Sequence, residues 1–257
     1  MTRLSVNLNK IALLRNSRRT GIPDVLRFAA LARNGGADGI TVHPRPDERH
    51  IRAEDVVALA ELIGPWRPGF ELNIEGYPDE RFMRLCNRVR PEQCTLVPDA
   101  PTAFTSEEGW RLDAKDRAVV SDAVSALKAL GCRTVVFVDP DADVVERVPG
   151  TGAAGIEIYT GDYATAARTG SPGTQLRACA AAADRATQRG LVVNIGHDLN
   201  LLNIPPLVSE LPSLAEASIG HELTADALQM GFERAVMAYK AALSLAAPPF
   251  PRTRMSP

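Results

Sequence analysis

The four histidines of this chain stand where they could move protons. His43 closes the β-type run Ile40-Thr41-Val42-His43, which stops at a proline, and His50 follows in the next segment. His197 and His221 sit in two echoing stretches, Ile195-Gly196-His197-Asp198-Leu199 and Ile219-Gly220-His221-Glu222-Leu223. Imidazole titrates near neutral pH and can serve as acid or base. Cations crowd the same segments: Arg45, Arg49 and Arg52 around His50, and Lys10, Arg15, Arg18 and Arg19 earlier in the chain. Guanidinium groups donate paired hydrogen bonds to phosphate oxygens, so two basic clusters near histidines favour an anionic substrate with more than one phosphate. The plainer alternative is solvated charged loops. The echoing Gly-His pairs add to the phosphate reading, because glycine lets a ligand approach the backbone and a following helix offers free N–H groups. Asp198 and Glu222 weigh the other way: a carboxylate at a helix start is favourable with no ligand present.

These residues need elements to position them. Short β-type runs recur at Leu4–Leu8, Gly39–His43, Phe70–Glu75, Gln93–Val97, Thr134–Asp139, Gly155–Tyr159, Leu191–Ile195 and Ala217–Ile219. Helical patterns lie between most of them. One opens at Pro23-Asp24 and stops at Asn34-Gly35-Gly36; others cover Ala53–Ile63, Asp79–Val89, Asp116–Leu130 and Thr174–Arg189. A final helix is expected over Thr224–Leu245, with Val236, Tyr239 and Leu243 on one face. Alternating strands and helices at this length predict a (β/α)8 TIM barrel. The alternative, a doubly wound open sheet, would want a G-x-G-x-x-G turn after an early strand, and none occurs. The connections Asp99–Lys115 and Thr160–Gly173 are long, and long loops in compact domains are often functional.

Strand periodicity then sorts the side chains. Leu4, Val6 and Leu8 oppose Ser5, Asn7 and Asn9; Ile40 and Val42 oppose Thr41 and His43; Leu72 and Ile74 oppose Glu71, Asn73 and Glu75; Ile156 and Ile158 oppose Glu157 and Tyr159. In a barrel the apolar set faces the helices and the polar set faces the axis. Barrel enzymes place their chemistry at the C-terminal strand ends, so Asn7, His43 and Glu75 read as site residues and Glu71, at the opposite end, as structural. The alternative is a polar network satisfied internally.

The bulk numbers agree with this reading. The chain has 257 residues and a net charge of −2, which excludes bulk attraction to nucleic acid or to an anionic membrane. Cys86, Cys94, Cys132 and Cys179 are widely spaced and form no C-x-x-C pair, as expected of reduced core thiols in a cytoplasmic protein without a metal site. Neither a leader segment nor a membrane span is expected. A single domain is expected over 1–246, followed by a Pro-rich, loose tail at 247–257.

Seven segments in order, SVNLNKIALLRNSR, GGADGITVHPRPDERHIR, LNIEG, TLVPD with TSEEG, IEIYTGDYA, VVNIGHDL and SIGHEL, give the chain a family resemblance. It resembles the pyridoxine 5′-phosphate synthases, which close the pyridine ring of vitamin B6. The resemblance implies a barrel with additional helices, assembled as a homo-octamer. It implies condensation of 3-amino-2-oxopropyl phosphate with 1-deoxy-D-xylulose 5-phosphate, both small phosphorylated substrates, with no metal or organic cofactor. Carried over by position, His43 and Glu75 match proton acceptors and His197 a proton donor. Asn7, Arg18, Gly220 and His221 match positions that bind the aminoketone phosphate; Arg45, His50 and Thr105 match positions that bind the deoxyxylulose phosphate. Three further substrate-binding positions depart from the common pattern. Asn9 and Lys10 replace an Asp-His pair, and Asp198 replaces the second glycine of Gly-His-Gly. Asp198 would repel a neighbouring phosphate unless it turned outward to cap a helix. A different phosphosugar lyase or isomerase on the same barrel, and a non-catalytic metabolite-binding barrel, are the rival readings.

Overall fold

The computed structural model describes residues 1–99, 108–211 and 213–244. Eight parallel strands close into a barrel in chain order: β1 Arg3–Asn7, β2 Gly39–Val42, β3 Glu71–Gly76, β4 Gln93–Leu96, β5 Arg133–Val138, β6 Gly155–Tyr159, β7 Val192–Gly196 and β8 Leu214–Ile219. β8 pairs back onto β1 with Ser218 opposite Ser5, which completes the (β/α)8 fold. Eleven helices are described: α1 Asn9–Asn16, α2 Val25–Asn34, α3 Ala53–Ile63, α4 Glu80–Val89, α5 Ala114–Ala129, α6 Ala142–Val145, α7 Gly161–Arg168, α8 Gly173–Gln188, α9 Ile204–Glu210, α10 His221–Met230 and α11 Phe232–Ala242. Among the described residues, no helix is long and apolar enough to cross a membrane.

Alternation along the strands divides two environments. Leu4, Val6, Ile40, Val42, Leu72, Ile74, Leu96, Val136, Val138, Ile156, Ile158 and Ile195 are buried between the barrel and its helices. Removing each such side chain from water contributes about 1.5–3 kcal/mol. The opposite face carries Ser5, Thr41, Asn73, Gln93, Thr95, Glu157, Asn194 and Glu216, all buried along the axis. The polar face changes character with depth. Its lower layers form a hydrogen-bonded network in which Asn194 Oδ1 is left without a partner. Ser5 and Thr41 share a hydrogen bond of 2.6 Å, Asn73 donates to Thr95 at 3.1 Å, Gln93 donates to Glu216 at 2.9 Å, and Arg133 donates to Gln93 at 3.0 Å. Glu71 belongs to this end, paired with Arg3 at 2.7 Å and Arg133 at 2.6 Å, which is the structural role its position predicts.

Five features differ from expectation. The segment Thr160–Gly173 is not a long loop, because α7 occupies most of it. α1, α6 and α9 are additional short helices. The expected final helix is two: Gly231 adopts φ +85°, ψ 148°, a conformation open essentially to glycine, and ends α10 before α11 begins. Val236, Tyr239 and Leu243 share the buried face as predicted. Thr105 and the tail at 247–257 lie outside the described residues.

Candidate active site

A cavity of about 330 Å³ opens at the C-terminal mouth of the barrel, lined by all four histidines together with Asn7, Asn9, Lys10, Arg45, Arg49, Glu75, Glu157, Asp198 and Gly220. A second cavity adjoins it and shares His43 and Arg45. The strand ends deliver the inner ring. Asn7, at the end of β1, donates Nδ2 to Glu75 Oε2 at 3.4 Å, and His43 Nδ1 lies 3.9 Å from the same oxygen. Asn9 Oδ1 accepts the backbone N–H of His43 at 2.9 Å, and Asn7 Oδ1 accepts that of Asn9 at 2.9 Å.

Burial sets the proton affinities. It lifts the Glu75 carboxyl to about 7, with the negative Asp99 adding to the effect. Burial holds His43 well below the ordinary imidazole value, helped by the positive charge of Arg45. His50 is pushed down to about 4, first by burial and then by Arg45 and Lys10. Its Nδ1 accepts the Ile51 N–H at 2.9 Å, so a neutral His50 carries its proton on Nε2. His197 packs against Phe137 and Tyr159, with ring centroids 5.5 and 5.3 Å away. Burial lowers it and Asp198 acts in the opposite sense.

The basic residues divide into those that face the cavity and those that build it. Arg45 is buried and paired with Asp99. Arg15 is turned away from the cavity. It is buried, makes a two-pronged ion pair with Asp55 at 2.5 and 2.9 Å, and donates to the carbonyl of His50 at 3.1 Å. Asn16 donates to the same carbonyl at 2.8 Å, so α1 clamps the loop that carries His50. Arg18 lies exposed just past α1 and outside the cavity lining, unlike the other described positions the resemblance marks.

The two Gly-His echoes diverge in structure. Gly220 is the N-terminal cap of α10 and His221 its first residue; Glu222 pairs with Arg168 at 2.7 Å. A Cβ on Gly220 would lie 3.0 Å from that of Asn7, so glycine lets the two strand ends meet. After β7, no helix begins until Ile204, and its cap position belongs to Asn203. Asp198 therefore caps no helix. It lines the cavity instead, so the outward turn that would spare a neighbouring phosphate its charge is not taken.

Strand periodicity places Glu157 on the inner face of β6 but does not mark it as a site residue. It is buried on the cavity wall, and burial, with the neighbouring Glu75 and Glu216, pushes its carboxyl well above the usual range. Gly196 makes its place: a Cβ there would collide with Glu157 Oε1. Among the described residues no group of three or more His, Cys, Asp or Glu is arranged to hold a metal ion.

Closed barrels of this kind are shared by many chemistries. The structure is similar to tryptophan synthase from M. tuberculosis at a TM-score of 0.64 and 12% identity, covering 94% of this chain and 92% of that one. It is similar to phosphoribosyl anthranilate isomerase from Thermotoga maritima at 0.57 and 12%, covering 95% and 99%. At such identities the likeness speaks to fold alone. Sequence similarity goes further. The profile of the pyridoxal phosphate biosynthesis protein PdxJ family matches residues 4–245. The chain is 49% identical over 238 residues to the pyridoxine 5′-phosphate synthase of Agrobacterium fabrum, covering 91% of this chain and 94% of that protein. It is 47% identical over 245 residues to the synthase of Porphyromonas gingivalis, covering 95% and 100%. The chain belongs to the pyridoxal phosphate biosynthesis protein PdxJ family.

Proposed function

We infer that the protein is a pyridoxine 5′-phosphate synthase. It condenses 3-amino-2-oxopropyl phosphate with 1-deoxy-D-xylulose 5-phosphate to pyridoxine 5′-phosphate, inorganic phosphate and water. The observation that carries this reading is the pairing of His43 with Glu75, 3.9 Å apart inside a cavity whose mouth is ringed by cations. The reaction moves a proton at nearly every step, and these groups suit it.

Glu75, lifted to about 7, can take a proton and return it near neutral pH, so it serves the condensation of amine with ketone. His43 is held neutral with a free lone pair and serves enolisation and ring closure. His197 donates to departing oxygen. Glu157, whose proton affinity burial raises, is a second candidate acid on the same wall. Lys10, Arg45 and His50 bind the deoxyxylulose phosphate; the start of α10 at Gly220 and His221, with Asn7, receives the aminoketone phosphate.

The family likeness supports a homo-octamer in the cytoplasm. Leu202, Leu228 and Met237, exposed apolar side chains, are candidates for burial between subunits. An assay with both purified substrates, reading pyridoxine 5′-phosphate and released phosphate together, tests the function: equimolar formation supports it, and phosphate release without the pyridine product points to a lyase.

A further inference from the structure

The cavity contains a carboxylate that the roles above leave without a task. Asp198 lines the wall partly exposed, and Lys10 lines it from the start of α1. Neither side chain makes a hydrogen bond or ion pair with a described residue, although both charges reach His197, in opposite senses.

The turn after β7 directs Asp198 inward. His197 and Asp198 both adopt left-handed backbone, at φ +83° and +56°. Thr160 Oγ1 lies 2.5 and 2.6 Å from the carbonyl oxygens of Gly196 and His197, and Asn203 Nδ2 donates to the carbonyl of Asp198 at 3.1 Å. The backbone is thus pinned on its far side while the carboxylate projects into the cavity. Of the other two carboxyls on that wall, Glu157 is buried and its proton affinity is raised well above the usual range, and Glu75, lifted to about 7, already serves as the proton acceptor of the condensation. Asp99, next to Arg45, is committed to that guanidinium.

The two substrates of the inferred reaction differ in one respect that matters here. Both carry phosphate, and the aminoketone phosphate alone carries a cationic nitrogen. A mouth lined by Lys10, Arg45 and Arg49 attracts phosphate and repels an ammonium group. Some anionic group must offset that repulsion at the point where the amine docks. We propose that the Asp198 carboxylate is the receptor for the substrate ammonium, and that this contact selects the amino compound over its hydroxyl isostere. The amine is recognised by a charge-assisted hydrogen bond. The proposal rests on the synthase reading for the identity of its ligand.

The test is calorimetric titration of the intact protein with 3-amino-2-oxopropyl phosphate and, separately, with dihydroxyacetone phosphate, which carries hydroxyl where the first carries amine. The wild type is expected to bind the amino compound about tenfold more tightly or better, the scale of one charge-assisted hydrogen bond. Asp198→Asn and Asp198→Gly both tolerate the left-handed backbone, so both should fold. Each should bind the two ligands within about threefold of one another, as expected once that hydrogen bond is gone. A wild type that does not discriminate, or a variant that keeps the preference, overturns the proposal. Turnover of both substrates by the same wild-type preparation separates the two claims. Preference without product overturns the synthase reading, and product without preference overturns the receptor.

Discussion

Asn9 Oδ1 accepts the backbone N–H of His43 at 2.9 Å, so the first residue of α1 ties down the end of β2. Asn7 links the same clamp to Glu75. Asn9→Ala leaves a partly buried N–H without its acceptor, which costs about 1–3 kcal/mol. Urea denaturation should show that loss, and kcat should fall by at least about tenfold as His43 drifts from its geometry. Asn9→Asp keeps the acceptor and should keep the stability, while its added negative charge raises Glu75 further and moves the acid limb of the kcat profile upward.

His43→Asn and Glu75→Gln should both fold and lose product formation by about 10²–10⁴-fold, the usual worth of a general acid–base group. Near-normal turnover in both would remove the assigned roles. The pH dependence of stability gives a second check. The folded Glu75 value, about 7, lies above its reference of 4.5, so folding favours the protonated form. Wild-type stability from this group is greatest below 4.5 and declines as pH rises toward 7. Glu75→Gln should therefore gain stability relative to wild type across that window, measured by thermal melts at a series of pH values.

Arg15→Met breaks a buried ion pair and should cost about 3 kcal/mol, leaving Asp55 uncompensated. Because Arg15 also holds the His50 carbonyl, KM for the deoxyxylulose phosphate should rise more than KM for the aminoketone. Arg18→Met, at an exposed position, should leave stability within about 0.5 kcal/mol. A fall in aminoketone affinity in that variant would assign Arg18 to the substrate despite its place outside the cavity lining.

Gly196→Ala should lower kcat by displacing Glu157, since a Cβ at that position collides with its carboxylate. Shortening the partner in the Gly196→Ala, Glu157→Asp double variant should recover part of the lost stability, about 1 kcal/mol if overpacking is the cause. Failure of the double variant to recover anything would show that the glycine serves another purpose.

Much of this site is legible in the sequence, for a physical reason. Period-two alternation assigns Asn7, His43 and Glu75 to the axis with no knowledge of the neighbours, and the C-terminal strand ends then bring them together. Glu157 obeys the same rule, yet its membership depends on how deep the cavity runs. The signal that could have flagged it is Gly196, one strand away. The helical residues were less legible. That Arg15 reaches the His50 loop depends on the rotational phase of α1, and that Arg18 does not line the cavity depends on where α1 ends; that helix has no clear signal in the sequence. Asp198 turned on two backbone angles, and the spacing of residues says nothing about those. The break at Gly231 was hidden because the apolar pattern runs on through it.

The inverted filling of the barrel bears on how the chain finds its shape. Sliding β3 by a single residue would thrust Leu72 and Ile74 into the polar axis and press Asn73 and Glu75 beneath the helices. Misthreaded arrangements are thus penalised twice, once by each face. The chemistry at the mouth and the fidelity of assembly draw on the same alternating residues.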